Sequence, residues 1–144
     1  LIANIDTYSS QNVQTHTAGT RTHTGNQRVL AATSTTTWAA SKNSGMMDLS
    51  TASWSAATTL VEGEVFTIAN VFAVNPVTKA TLPHLQQFVI RSAVTTNATT
   101  ASTTTLSVSP PIITSGAFQT VSAAPVDAAT ITILGTASTG YADK

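Results

Sequence analysis

The chain has 144 residues, six basic and six acidic side chains, a formal net charge of zero and no cysteine. That length suggests one domain, able to bury roughly 68–70% of its unfolded surface. The absent cysteine excludes disulfide scaffolds, thiolate metal sites and Cys nucleophiles, and the balanced charge gives no global bias toward nucleic acid or anionic membrane. Ser and Thr together number 44 and Ala adds 22. Small hydroxyls with few helix formers point to β-structure, and near-zero net charge favours association. No apolar run approaches the ~20 residues of a membrane-spanning helix, and no signal peptide is visible. The first Met is Met46, which reads as a piece of a longer protein.

In chain order, residues 1–44 form an irregular lead with little periodicity. Leu1-Ile2-Ala3-Asn4-Ile5 is a strand or the end of one, and Gln27-Arg28-Val29-Leu30-Ala31 is a short strand. Ser41-Lys42-Asn43-Ser44-Gly45 reads as a loop. Strands are then predicted near 46–50, 58–61, 65–74, 85–95, 104–108, 118–122 and 129–134. The central pair is bounded by two turn signals, Glu62-Gly63-Glu64 and Asn75-Pro76-Val77-Thr78-Lys79. In the second, Pro76 pre-sets φ and the Asn75 side chain can cap the turn. Residues 97–103 (NATTAST) are a polar loop. Pro110-Pro111 ends the strand containing Leu106 or places it at an edge, and Pro125 stops the strand beginning near Phe118. Short helical turns are allowed at Pro83-His84-Leu85 and Val126-Asp127-Ala128. The predicted inner face comprises Val65, Phe66, Ile68, Val71, Phe72, Phe88, Ile90, Leu106, Val108, Ile131 and Ile133. A one-residue slip would exchange Val65 and Phe66. The expected fold is all-β: a small antiparallel barrel or sandwich of about six to seven short strands behind the irregular lead.

The search for chemistry is mostly negative. Glu62 and Glu64 flank Gly63 in one turn, whereas a glycosidase pair comes from opposed elements. They read as solvated turn residues. Asp6, Asp48, Asp127 and Asp143 are isolated. His16, His23 and His84 lack common zinc spacing and read as surface residues. There is no nucleophile elbow, Walker loop or Rossmann glycine pattern, and the many hydroxyls lack a positioned base. Arg21, Arg28 and Lys42 make a poor phosphate footprint. Trp38 and Trp54 could stack on bases, but core or rim packing is the better reading. Asn97-Ala98-Thr99 matches a glycosylation acceptor without other signs of secretion. No catalytic, cofactor-binding or metal site is predicted, and the expected protein is not an enzyme.

Four groups of residues carry a family resemblance. They are Gln11-Asn12-Val13-Gln14-Thr15-His16-Thr17-Ala18-Gly19; the run 62–79 (EGEVFTIANVFAVNPVTK) with 85–90 (LQQFVI); Ser107-Val108-Ser109-Pro110-Pro111-Ile112-Ile113; and Phe118-Gln119-Thr120-Val121-Ser122-Ala123-Ala124-Pro125. In this order they resemble the coat proteins of tailed bacteriophages, in the family of phage P-twenty-two, over about Gln11 to Tyr141. The chain departs from that pattern at Gln14 (commonly Pro), Glu64 (commonly Asp) and Asn70 (commonly Gly). The last concerns the backbone, since Gly accepts φ > 0 where most residues resist it.

The resemblance implies a shell fold of the HK-ninety-seven type interrupted by an inserted telokin-like or immunoglobulin-like β-barrel on the outer surface. On that reading residues 28–136 are the barrel, and 1–27 and 137–144 connect it to the shell domain. The implied function is structural: coat-subunit folding and stability, shell size and contacts between capsomers. Implied partners are other coat subunits of an icosahedral shell and the scaffolding protein, with no specific nucleic acid and no membrane. The isolated piece is expected to be monomeric or weakly associating. The implied location is the virion shell, reached from the bacterial host cytoplasm during assembly. The loop around Lys42 has one cation, with only Asp48 nearby, so no charged contact between subunits is assigned. The alternative is a carbohydrate-binding or adhesion β-sandwich, which would need Trp38, Trp54 or Tyr141 on one exposed face.

Overall fold

The computed structural model describes residues 15–20, 27–30, 45–55, 57–97, 103–135 and 140–142. The expectations for Leu1–Ile5, Trp38, His23, Arg21, Lys42, Asp6 and Asp143 lie outside them, as do most of the 41–45 loop and residues 98–102. The described chain is all-β, with ten strands: β1 (Thr15–Thr17), β2 (Arg28–Val29), β3 (Met47–Ala52), β4 (Thr59–Leu60), β5 (Val65–Val74), β6 (Thr81–Ile90), β7 (Val94–Thr95), β8 (Thr104–Ser109), β9 (Ile131–Ile133) and β10 (Gly140–Ala142). Six form one antiparallel sheet in the order β2-β3-β8-β6-β5-β9. Its two ends meet. The Val29 N–H donates to the Ala129 carbonyl at 2.9 Å, Ala128 N–H to Val29 O at 3.0 Å, and Ile131 N–H to Gln27 O at 2.8 Å. The sheet therefore closes nearly on itself as a small barrel.

The interior is apolar and continuous. Phe66, Ile68, Phe88, Ile90, Leu106, Val108, Ile131 and Ile133 are buried, joined by Val29, Leu49, Leu60 and Trp54. Period-two alternation puts these residues on one face. Phe66 points inward and Val65 is half-buried, which settles the register. Val65 and Phe72 were expected inside; both are only partly buried.

For Phe72 the reason is a bulge. Between the pairs Thr67↔Gln87 and Phe72↔Leu85, β5 advances five residues while β6 advances two. Within this stretch Asn70 is exposed and has φ 63°. The inward set changes parity across it, from Phe66 and Ile68 to Val71 and Ala73. A bulge swaps faces in this way, and Asn tolerates left-handed backbone better than other non-Gly residues.

The β5–β6 hairpin is longer than its sequence suggested. β6 begins at Thr81, four residues before the expected start, and Pro83-His84-Leu85 is extended rather than helical. Pro83 fits because β8 joins β6 only at Val89 and Ile90, leaving that flank of Pro83 without a ladder to supply. The expected strand 85–95 ends at Ile90, and Val94–Thr95 pairs with β4 in a separate small sheet. The hairpin turn forms as expected: Asn75 Oδ1 accepts from the N–H groups of Val77 at 2.8 Å and Thr78 at 3.1 Å.

Residues 118–122 are not a strand. Only Val121 bridges, to Ala73. The Thr120 hydroxyl donates to Pro111 O at 2.6 Å and accepts from the Ile113 N–H at 3.0 Å. These bonds fold 111–121 into a loop over the outer half of β5, with Ile112 and Val121 buried beneath. β8 ends at Ser109 just before the two prolines, as expected.

Candidate functional site

Two regions of the surface are built in unusual ways. The first lies where β1 meets the barrel. The lead was expected to be irregular, yet β1 pairs antiparallel with β10 in the register Thr15↔Ala142, His16↔Tyr141 and Thr17↔Gly140. Segments 123 residues apart in sequence (17 to 140) thus lie side by side.

The β1 continuation runs along β4. The Thr20 N–H donates to Thr59 Oγ1 at 3.0 Å, and the Thr59 N–H returns a bond to Thr20 Oγ1 at 3.1 Å. His16 Nε2 donates to the Glu62 carbonyl at 2.9 Å. The turn at Glu62-Gly63 needs its glycine: Gly63 has φ 90°, the left-handed value required at the third position of a type II turn.

Glu64 corrects an expectation. It was read as a solvated turn residue, but it is 4% exposed. Its Oε1 accepts from the Gly19 N–H at 2.9 Å and its Oε2 from the Val61 N–H at 3.1 Å. These bonds offset part of the cost of burying a carboxylate. Glu62 stays exposed, so the two carboxylates face different surroundings. The sequence signal available was the departure at position 64 itself, where one extra methylene extends the reach. Beside Glu64 lies a cavity of about 460 Å³ lined by His16, Ala18, Gly63, Val65, Gln87 and Leu134, among others.

The second region is the far end of the hairpin. Val77 at its tip is 86% exposed and Phe118 on the covering loop is 73% exposed. Lys79 ties the two together by donating from Nζ to the Ala117 carbonyl at 2.6 Å.

The remaining predicted features separate. Trp54 is buried and donates from Nε1 to Thr51 Oγ1 at 2.7 Å. It is core, as the packing reading held, and is removed from any exposed aromatic platform. His84 is exposed on β6, far in sequence from His16 on β1. Among the described residues no group of three His, Asp or Glu side chains is placed to hold a metal ion.

The chain is similar to the CUS-3 coat protein I-domain at 27% identity, over 88% of this chain and 98% of that one, with a TM-score of 0.42. No family model matches the chain. No curated protein matches it either.

Proposed function

We propose that the chain is the inserted β-barrel domain of a tailed-phage major coat protein, and that its work is structural. The observation carrying this reading is the β1–β10 pair. A domain inserted into a host fold must receive and return the polypeptide at one place, and this pair sets the two connections side by side. The resemblance supplies the rest. Its four sequence words fall on β1, on the β5–β6 hairpin, at the end of β8 and on the loop that covers the hairpin.

The mechanism is thermodynamic. A barrel that folds by itself holds the ends of its own insertion together and lowers the entropy cost of closing the host domain around it. On this reading 28–136 is the folding unit and 1–27 and 137–144 are the connections. The coat subunit gains folding support and stability, and the domain contributes to shell size and to contacts between capsomers. Its partners are other coat subunits and the scaffolding protein, and it is not an enzyme. It is placed in the virion shell, after assembly in the host cytoplasm.

Antibodies raised against the purified chain should decorate the outside of intact phage particles at capsomer spacing in electron micrographs. Particles that contain no peptide of this chain by mass spectrometry would remove the reading. The folding role further requires a single cooperative unfolding transition of the isolated chain. A broad non-cooperative melt would defeat it.

A further inference from the structure

We infer that Glu64 is a positioning residue that locks the 15–20 segment, and with it the β1–β10 pair, onto the barrel. The lock rests on geometry alone; its consequence for a host protein rests on the insertion-domain reading.

The two oxygens of Glu64 serve different segments. Oε2 takes the Val61 N–H of its own turn, while Oε1 reaches Gly19, 45 positions away in sequence. Gly19 is fitted to this contact: a Cβ there would collide with the Thr59 carbonyl. The reciprocal Thr20–Thr59 bonds and the His16–Glu62 bond continue the seam on either side.

The seam is polar. All three β1 residues are exposed, and among the described residues none before Val29 belongs to the hydrophobic core cluster. Ala18 and Gly19 are buried, Gly19 against the backbone of Thr59 and Leu60 in β4. The lock therefore opens without unmaking the core. What it controls is the direction in which the polypeptide leaves the barrel. An Asp at position 64 draws the carboxylate back by about one carbon–carbon bond and so weakens its hold on Gly19.

The test is amide hydrogen exchange by NMR on the whole 144-residue chain, comparing wild type with Glu64→Asp and Gly19→Ala. Thr20 should lose protection about tenfold or more in both variants, and Gly19 likewise in Glu64→Asp, the scale of one lost hydrogen bond to a charged group. Val29 and Ala69 should stay within about threefold of wild type in both variants. The inference is overturned if Val29 and Ala69 lose protection in step with Thr20, because Glu64 then only supports the barrel. It is also overturned if Thr20 is unchanged in both variants. Because the measurement uses the isolated chain, its failure differs from that of the coat reading, which shows as unlabelled particles.

Discussion

Phe66 and Phe88 are directly paired across β5 and β6, and their rings stack with centroids 5.6 Å apart and planes 27° apart. Both are fully buried at the centre of the barrel. Truncating either leaves a cavity that close-packed neighbours refill only in part. Phe88→Ala should therefore destabilise the chain by about 3–5 kcal/mol, read as a lower urea midpoint. A loss under about 1 kcal/mol would mean that the stack is peripheral to the core.

Asn70 offers a test of backbone conformation at constant burial. With φ at 63° and an exposed side chain, it has little packing to lose. Asn70→Gly should be neutral or stabilising by up to about 1 kcal/mol, since Gly pays no Cβ penalty there. Asn70→Val should cost about 1–2 kcal/mol, because a β-branched residue resists left-handed backbone. Equal midpoints for the two variants would argue against the bulge.

Thr51 links two buried groups. Its hydroxyl accepts from Trp54 Nε1 at 2.7 Å and donates to the Thr104 carbonyl at 2.7 Å. Thr51→Val keeps the shape and removes both bonds, leaving a buried indole N–H unsatisfied. A loss of about 1–3 kcal/mol is expected in thermal unfolding. Thr51→Ser should recover most of it.

At the hairpin tip the effect should be small and local. Asn75→Ala removes the side-chain acceptor for Val77 and Thr78, worth about 0.5–1.5 kcal/mol. Exchange protection should fall at Thr78 while Ala69 is unchanged. A global loss of protection would mean that the turn nucleates the whole barrel.

Much of this architecture was legible, and the misses have physical causes. The run Val65–Val74 reads as a strand because β-branched and aromatic residues dominate it, and the turns on either side carry Gly63 and Asn75-Pro76. The parity change at Asn70 was flagged only as a departure from a glycine, since a bulge depends on one residue's φ. The start of β6 was hidden by Pro83 and His84, which allow a short helical turn until the strand is seen to lack a second neighbour there. Residues 118–122 look strand-like, but the Thr120 hydroxyl takes bonds that a ladder would have used. At the candidate site, Gly63 was readable as a turn glycine. The burial of Glu64 was not, because it depends on a segment 45 positions away in sequence.

The seam between β2 and residues 128–131 carries a last consequence. Without it, β2 and β9, the two ends of the sheet, would each present free N–H and C=O groups, a template for pairing with another chain. A chain of zero net charge has no electrostatic repulsion to discourage such pairing. A few backbone bonds around Val29 therefore cover strand ends that would otherwise be open to such pairing. At the far end of the β5–β6 hairpin, where β6 has no second neighbour, Pro83 gives the same protection by withholding a donor.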